Sequence, residues 1–377
     1  ASHRIDMTTT APLDIYLSVS PGLEDILLQE VLQSGFNGAR TVAGGVEFSG
    51  DWPDVWRANY LLRGAARVLV RVATFPVVHL SQLDKKARKL DWSGWLPRGA
   101  ALQFSASCRQ SKLYHAGAVQ QRVQDAALEA VGGRIDDADG LRIQIRIAKN
   151  ICTISLDTSG ELLHRRGFKL SVVKAPMRET MAALLLRACG YKGEEPVLDP
   201  MCGSGTFVIE AAEIAAGLAA GRGRSFAFER LPSFDAPAWA DLKAAHPGRE
   251  TSFVFAGSDR DAGAVEAARA NAARSGVTDI TRFETADIRD TRPLGGKPGL
   301  VMINPPYGAR IGNRKALYPV YHAIGETLRS RFSGWRVGLV TSDDALARAT
   351  RLPFSRPGPI IDHSGIKIRL YQAPPLP

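Results

Sequence analysis

Cysteine and histidine are scarce in this sequence, and neither is spaced to bind a metal. The four cysteines, Cys108, Cys152, Cys189 and Cys202, lie far apart, and the seven histidines include no His-x-x-x-His pair. This spacing supports neither a zinc site nor a framework of disulfide bonds. We therefore expect no resident metal and, by default, a cytoplasmic location.

Long hydrophobic runs are absent as well. No apolar stretch approaches the ~18 residues of a membrane-spanning helix, so we expect no membrane partner. The start of the chain lacks a signal-peptide pattern, and residues 1–6 are typical of a vector remnant before a natural start at Met7. The composition, 45% hydrophobic and 23% charged, is typical of soluble proteins, and 377 residues predict two or three domains.

Acidic residues are too few to balance the basic ones, and the net charge is +10. Residues 1–79 hold 6 basic against 8 acidic residues, whereas residues 80–170 hold 15 against 9 and residues 171–377 hold 27 against 21. A positive surface favours a polyanionic partner such as nucleic acid. From charge alone, a basic protein without such a partner is an equally good interpretation.

One stretch, residues 196–212, organises the chain as a short apolar strand, a glycine turn and a helix. Asp199 ends the strand, and the turn lacks both the Gly-x-Gly-x-x-Gly of a dinucleotide site and the Gly-Lys-Ser/Thr of a phosphate loop. An acid before the turn suits a ligand that carries amines, which favours S-adenosylmethionine (SAM) at the helix start. The predicted contacts are Asp199, Pro200, Met201, Cys202, Gly203, Gly205 and Thr206.

A second motif follows another apolar strand, at residues 299–303. It reads Asn304, Pro305, Pro306, Tyr307, and it resembles the amino-methyltransferase motif of class I SAM-dependent methyltransferases. An exocyclic base amine is a weak nucleophile because its lone pair is delocalised into the ring. The Asn304 side-chain oxygen and the Pro305 carbonyl can accept its two hydrogens, two prolines stiffen the loop, and Tyr307 can stack on the base. Asn304 is also expected beside the cofactor.

Two further predicted strands, at residues 253–259 and 280–286, have acidic residues at their carboxyl ends: Asp259 ends the first, and Asp287 directly follows the second. Asp259 can bind both ribose hydroxyls of the cofactor, and Asp287 can accept from its adenine amino group. As isolated residues, both would more often be helix caps or surface acids, but the series of strand ends favours cofactor binding. Asp261 is instead a predicted helix N-cap. The additional cofactor candidates are Asp259, Arg260, Asp287 and Ile288.

The N-terminal part of the chain predicts two smaller α+β units. In the first, strands at residues 13–18, 42–48 and 66–75 alternate with two helices, and its charge does not indicate nucleic-acid binding. The second contains a basic and aromatic segment between a strand and a helix, which suits folded RNA with unstacked bases. The RNA-contact candidates are Arg109, Lys112, Tyr114 and His115, together with Arg310 and Arg314 after the second motif.

An insertion at residues 217–239 is rich in arginine and phenylalanine. It could cover the active site or touch RNA, or it could be a packed surface loop.

Four motifs in order carry a family resemblance. They are Asp-Thr-Ser-Gly-Glu-Leu-Leu-His-Arg-Arg-Gly at 157–167, Ala-Pro-Met-Arg-Glu-Thr at 175–180, Asp-Pro-Met-Cys-Gly-Ser-Gly-Thr at 199–206, and Asn-Pro-Pro-Tyr-Gly at 304–308. Together they resemble bacterial THUMP-domain methyltransferases, in particular the large-subunit rRNA guanine-N2 methyltransferases, which have also been described as adenine-specific DNA methylases. The resemblance covers residue 80 to the C-terminus, and residues 1–79 fit the ferredoxin-like domain that precedes THUMP in that family.

The resemblance implies an α/β fold with a Rossmann-like, seven-stranded class I methyltransferase domain at residues 166–377. It implies that α+β ferredoxin-like (1–79) and THUMP RNA-binding (80–165) domains precede it. The implied reaction is methyl transfer from SAM to guanine N2, with 23S rRNA or a pre-ribosomal particle as the partner. Some members carry a second, fused methyltransferase domain. In this sequence we expect a single methyltransferase domain and therefore a single activity.

Two alternatives stay open. Asn-Pro-Pro-Tyr serves adenine N6, cytosine N4 and guanine N2 in different families, so a DNA adenine-N6 methyltransferase is the rival within the class, although the THUMP-like segment argues against it. A non-catalytic RNA-binding or ribosome-assembly factor is the rival outside the class. The complete set of Asp199, Gly203, Gly205 and Asn304 argues against that interpretation.

Overall fold

The computed structural model describes residues 11–169, 177–308 and 314–377 of the chain. The described residues form one eight-stranded and one seven-stranded β-sheet. No helix among these residues is long and apolar enough to cross a membrane. The RNA-contact candidate Arg310 lies outside the described residues, as do Ala175 and Pro176 of the second family motif.

The first unit packs two helices against antiparallel strands. Its elements are β1 (Leu13–Ser18), α1 (Glu24–Gln33), β2 (Arg40–Val42), β3 (Gly45–Gly50), α2 (Trp52–Leu61) and β4 (Arg67–Pro76). Strand β1 pairs with both β3 and β4 and so lies between them. Its alternating apolar residues Ile15 and Leu17 join Leu27 of α1 and Val55 of α2 in one buried core, as the two-residue period of a strand requires.

The predicted single strand at residues 42–48 is wrong. The chain reverses at Ala43 and Gly44, and the two sides pair antiparallel as β2 and β3. Gly44 has a φ angle of +71°, which a residue without a Cβ atom adopts easily. Ala43 and Gly44 therefore form a two-residue hairpin turn, and Gly45 already belongs to β3.

The second unit continues the sheet of the first. Its elements are α3 (Leu80–Arg88), α4 (Trp92–Trp95), β5 (Ala101–Arg109), α5 (Ala116–Val131), β6 (Arg134–Ile135), β7 (Leu141–Ala148) and β8 (Ile151–Asp157). Strands β7 and β8 pair antiparallel as a hairpin. Strand β8 also pairs antiparallel with β4, so both units share one sheet of order β2-β3-β1-β4-β8-β7-β5-β6.

The C-terminal part is a doubly wound α/β domain with the predicted seven-stranded sheet. Its elements are α6 (Glu179–Ala188), β9 (Val197–Asp199), α7 (Thr206–Ala215), α8 (Ala236–Ala244), β10 (Phe255–Asp259), α9 (Ala262–Ser275), β11 (Thr281–Thr285), β12 (Leu300–Ile303), α10 (Tyr318–Arg331), β13 (Arg336–Thr341), α11 (Asp344–Ala349), β14 (Ile361–His363) and β15 (Ile366–Ala373). The strand order is β11-β10-β9-β12-β13-β15-β14, and the first five strands are parallel. The chain runs outward from β9 to β11 and then returns to place β12 on the other side of β9.

The insertion at residues 217–239 packs against the first unit. Phe228 is fully buried and stacks on Trp56 of α2, with 6.0 Å between ring centroids. Trp239 meets the ring of Tyr60 edge-on at 5.3 Å. Arg224 donates to the carbonyl oxygens of residues 162 and 165, at 3.0 Å in both cases. Of the three interpretations, the packed loop is therefore confirmed for these side chains, which hold the N-terminal and C-terminal parts together.

Candidate active site

The carboxyl ends of β9, β10 and β12 meet at one edge of the C-terminal sheet, where the strand order reverses. Strand β9 pairs with β10 on one side and with β12 on the other. Asp199 is the last residue of β9, Asp259 is the last residue of β10, and Asn304 directly follows β12. Open α/β sheets form a ligand crevice at such a reversal. The fold thus brings to one edge of the sheet three residues that the sequence predicted beside the cofactor.

Backbone contacts to β10 hold the glycine turn between β9 and α7. The N–H of Cys202 donates to the carbonyl oxygen of Ser258 at 2.9 Å. The N–H of Gly203 donates to Oδ2 of Asp259 at 3.0 Å. Gly205 has a φ angle of +89°, and a Cβ atom at this position would lie 3.1 Å from a side chain of α9. Glycine therefore allows both the sharp turn and the close approach of the two helices.

Asp199 is a buried carboxyl group at the start of this turn. It is 2% exposed, and its Oδ1 accepts from the backbone N–H of Met201 at 3.0 Å. Burial raises the pKa of Asp199 to about 8, the hydrogen bond from Met201 opposes the rise, and the charge of Asp259 adds to it. A cation in the crevice would favour the ionised form. The site therefore fits the α-ammonium group of SAM.

The remaining turn residues differ in exposure. Pro200 and Cys202 are buried, whereas Met201 is partly exposed. The hydroxyl of Thr206, the first residue of α7, accepts from Nζ of Lys169 at 2.7 Å. No motif marks Lys169, and it is not among the residues predicted from the sequence.

The ends of β10 and β11 present the other predicted cofactor residues. Asp259 is half-buried and Arg260 is exposed. The predicted N-cap role of Asp261 is confirmed, because its Oδ1 accepts from the N–H of Gly263 at 2.9 Å.

Asp287 and Ile288 follow β11, but Asp287 already has a partner. Oδ1 of Asp287 accepts from the backbone N–H of Arg289 at 3.0 Å and from its Nε at 2.9 Å. These hydrogen bonds lower the pKa of Asp287, so the group is ionised. Ile288 is buried. A contact with an adenine amino group would share this carboxylate with Arg289.

Asn304 offers an unused acceptor inside the crevice. Its Oδ1 atom is buried and has no hydrogen-bond partner among the residues described here, whereas buried polar atoms are ordinarily paired. Pro305 is buried, and Pro306 and Tyr307 are partly exposed. Burial raises the pKa of Tyr307 to about 12, so its phenol is neutral. An unpaired acceptor at this position fits a donor group that arrives with a substrate.

Four RNA-contact candidates lie together at one end of the N-terminal sheet. Arg109 ends β5, and Lys112, Tyr114 and His115 lie on the loop that follows; all four are exposed. Tyr114 is 71% exposed, and its ring lies against that of His115, with 4.2 Å between the ring centroids. Lys149, which the sequence did not predict as an RNA contact, lies on the β7–β8 turn and donates its backbone N–H to the carbonyl oxygen of Arg109 at 3.2 Å.

The candidate Arg314 lies on the C-terminal part instead. Its guanidinium makes two hydrogen bonds to the carboxylate of Asp343, at 2.5 and 3.0 Å, and its side chain is 60% exposed. Across residues 11–169, 177–308 and 314–377, no group of three or more His, Cys, Asp or Glu side chains could hold a metal ion.

A parallel sheet with a buried acid, a glycine turn and an Asn-Pro-Pro-Tyr loop at its switch point defines a class I SAM-dependent methyltransferase. Comparison with family profiles agrees: residues 166–356 match the RMKL-like methyltransferase domain, residues 14–69 the RlmL ferredoxin-like domain, and residues 78–157 the THUMP domain. The chain belongs to this family of RMKL-like methyltransferases. The predicted family, fold class, enzyme class and cofactor are thereby confirmed.

Individual relatives cover the chain to different extents. It is 31% identical over 363 residues to a candidate RNA methyltransferase of Synechocystis, covering 93% of this chain and 94% of that protein. It is 34% identical to the ribosomal RNA large subunit methyltransferase K/L of Syntrophotalea carbinolica, covering 90% of this chain and 50% of that protein, so it spans half of the K/L length. A solved candidate methyltransferase complexed with SAH superimposes with a TM-score of 0.88 at 26% identity, covering 98% of this chain and 100% of that one.

Proposed function

We propose that this methyltransferase modifies an exocyclic amine on a base of RNA, and that Asn304 holds the amine. The buried, unpaired Oδ1 of Asn304 carries the proposal, because an amine hydrogen is the kind of donor that it lacks. The Pro305 carbonyl accepts the second hydrogen, and the two acceptors together orient the nitrogen lone pair. Tyr307 stacks on the base, which must first leave its helical stack at a cost on the order of a few kcal/mol.

The chain's own residues would hold SAM around the glycine turn. Asp199 pairs with the α-ammonium group, Asp259 accepts from the ribose hydroxyls, and Asp287 accepts from the adenine amino group beside Arg289. SAM supplies an electrophilic methyl group on a sulfonium. Ile288, the buried residue after Asp287, would contribute an apolar side chain to the cofactor site.

The RNA would bind at the exposed end of the N-terminal sheet. Residues 101–124 and 141–156 contain no acidic residue. The side chains of Arg109, Lys112 and Lys149 are exposed, and none forms an ion pair with any part of the chain that the structure describes. The exposed ring of Tyr114 can stack an unpaired base, while the three cations meet phosphates.

The loop after β5, which carries Lys112 and Tyr114, is ordered by hydrogen bonds within the protein and does not need a ligand for this. The N–H of Lys112 donates to Oδ1 of Asn150 at 2.8 Å, and the N–H of Asn150 donates to Oγ of Ser111 at 3.0 Å. Gln110 and Lys149 adopt positive φ angles of 47° and 50°, which are strained for residues with a side chain. Strain that the surrounding hydrogen bonds maintain is typical of binding sites.

Guanine N2 of large-subunit rRNA is the proposed target, as 23S rRNA or within a pre-ribosomal particle. The THUMP match and the names of the relatives support RNA over DNA. Transfer to adenine N6 of DNA is the rival, because the Asn304 loop can hold either amine.

The test is a methyl-transfer assay with labelled SAM. The substrates are protein-free large-subunit rRNA from a strain that lacks this enzyme, a pre-ribosomal particle from the same strain, and duplex DNA. After digestion to nucleosides, we expect label in N2-methylguanosine from RNA. Label in N6-methyladenine of DNA would overturn the substrate proposal and leave the role of Asn304 intact. Absence of label from all three substrates would overturn the proposal as a whole.

A further inference from the structure

Tyr321 of α10 contacts the backbone of the Asn-Pro-Pro-Tyr loop. Its hydroxyl lies 2.9 Å from the carbonyl oxygen of Pro306 and 2.9 Å from Oγ1 of Thr341, at the end of β13. The side chains of Tyr321 and Thr341 are 0% and 1% exposed. A carbonyl oxygen can only accept, so the Tyr321 hydroxyl donates to Pro306. The Thr341 hydroxyl must then donate to Tyr321.

The hydrogen bonds continue beyond Thr341 in the same direction. Oγ1 of Thr341 accepts from the backbone N–H of Asp343 at 3.3 Å. A run of donors thus leads from Asp343 through Thr341 and Tyr321 to the loop, and each hydrogen bond polarises the next. Burial raises the pKa of Tyr321 above its ordinary value, although its hydrogen bond with Thr341 opposes the rise. The phenol therefore keeps the proton that it donates.

The two prolines limit how the backbone of the loop can be held. Pro305 and Pro306 have no backbone N–H, so between Asn304 and Tyr307 the backbone supplies only acceptors. The Pro306 carbonyl is fixed from outside the loop, by a helix that packs on the sheet. Its position sets the direction of the two preceding residues, which carry the two proposed acceptors for the target amine.

We infer that Tyr321 is a positioning residue for methyl transfer: its hydroxyl, oriented by Thr341, fixes the Pro306 carbonyl and thereby aims the amine acceptors of Asn304 and Pro305. This inference rests on the proposed function of that loop. No sequence motif marks Tyr321, because on α10 it occupies an ordinary apolar-face position. Its hydroxyl acts through the loop and touches neither base nor cofactor.

The test compares Tyr321→Phe, Thr341→Val and the double variant with the unaltered enzyme. Each substitution removes a hydroxyl and nearly preserves the side-chain volume. Tyr191→Phe is the matched control, because Tyr191 is also buried and donates to a backbone carbonyl, that of Ala211, at 2.6 Å. The measurements are the single-turnover rate with saturating SAM and rRNA, the Kd for SAM, the Tm, and amide hydrogen exchange of a peptide containing Tyr307 and Gly308.

We expect Tyr321→Phe to lower the single-turnover rate roughly tenfold, the effect of losing one buried hydrogen bond that aligns the reacting group. The Kd for SAM should change by less than about twofold, since the turn that binds SAM is not part of this network. Amide exchange of the loop peptide should accelerate. The double variant should be no slower than Tyr321→Phe, because Thr341 acts through Tyr321. Tyr191→Phe should leave the rate and the loop exchange unchanged.

Asn304→Ala separates the failure of this inference from the failure of the proposed function. An inactive Asn304→Ala enzyme beside a fully active Tyr321→Phe enzyme would overturn the inference and leave the proposed function standing. Full activity of Asn304→Ala would overturn both. A lower rate in Tyr321→Phe with an equal loss in Tyr191→Phe, and with similar falls in Tm, would mean that Tyr321 serves general stability alone, which also contradicts the inference.

Discussion

Arg166 and Glu210 form a buried ion pair, with Nε of Arg166 lying 3.2 Å from Oε1 of Glu210 and side chains that are 4% and 1% exposed. Arg63 of the first unit binds the other oxygen, Oε2, of Glu210 at 3.0 Å and Oε2 of Glu213 at 2.6 Å. Burial opposes the ionisation of Glu210, but the charges of Arg166 and Arg63 outweigh it, so the pKa of Glu210 is lowered. This cluster ties the first unit to α7, the helix that begins at the glycine turn.

Replacement of Arg166 by Met should cost about 3–5 kcal/mol of unfolding free energy, because it leaves Glu210 buried with one cation fewer. The neighbouring Arg165 supplies a matched control. Its ion pair with Glu161 is exposed on both sides, at 63% and 67%. Arg165→Met should therefore change the unfolding free energy by less than about 1 kcal/mol. Urea denaturation of both variants measures the difference, and equal losses would contradict a structural role for the buried pair.

The stability of the ligand-free protein should depend on pH through Asp199. The pKa of Asp199 is about 8 in the folded chain against an ordinary value of 3.8. Between about pH 4 and pH 8, the folded state thus keeps a proton that the unfolded state has released. The free energy of unfolding therefore falls as pH rises through this range. Asp199→Asn cannot ionise, and Asn can still accept from the N–H of Met201.

We therefore expect the Asp199→Asn variant to gain stability relative to the unaltered protein by roughly 2–5 kcal/mol between pH 5 and pH 8.5. Urea unfolding at both pH values, without SAM, measures this gain. The same variant should bind SAM more weakly, because it lacks the carboxylate for the ammonium group. Parallel stability curves of the two proteins across this pH range would show that Asp199 is already ionised at low pH.

Asn304→Ala should lower methyl transfer by roughly a hundredfold or more and lower SAM affinity far less, because the proposed role of Asn304 is to hold the target amine. It should cost little stability, since Oδ1 accepts no hydrogen bond from the residues that the structure describes. The contrast is Asn59→Ala: Asn59 is 1% exposed, and its side chain bonds Val55, Thr158 and Ser159. That variant should lose about 1–3 kcal/mol of stability and keep the chemical rate. Equal losses of rate and SAM affinity in Asn304→Ala would contradict the proposed role.

Lys149→Ala should weaken RNA binding several-fold. It should also reduce the slope of log affinity against log salt concentration by about one, which corresponds to one counterion fewer released on binding. Lys297 is the matched control, an exposed lysine on the loop before β12, at the amino ends of the parallel strands. Lys297→Ala should leave both the affinity and the salt slope unchanged. Titrations of rRNA at several salt concentrations distinguish the two variants, and identical slopes for both would place the RNA elsewhere on the surface.

The first unit shows where local patterns were insufficient. Strand periodicity correctly indicated β1 and β4, but an edge hairpin was missed because two adjacent glycines permit either a bend or a reversal. The pairing of β4 with β8 could not be inferred from either strand, since hydrogen bonds between strands depend on which edges meet. The first unit therefore shares a sheet with the THUMP unit and forms buried ion pairs with α7, so it is a structural part of the enzyme.

The sequence by itself determined the class of this protein. Asp199 before a glycine turn and Asn304 before two prolines have chemical meanings that do not depend on the rest of the fold, because the required atoms come from adjacent residues. Tertiary structure alone decided which groups distant in the sequence contact one another. Tyr321 reaches Pro306, Lys149 joins Arg109, and Arg63 meets Glu210 only after helices and strands pack, since a buried polar atom can be paired by any residue that the fold brings within hydrogen-bond distance. The sequence did contain an indication of the contact between Arg63 and Glu210. Helix α7 is mostly apolar but carries two acidic residues, and acids buried on such a helix require cationic partners.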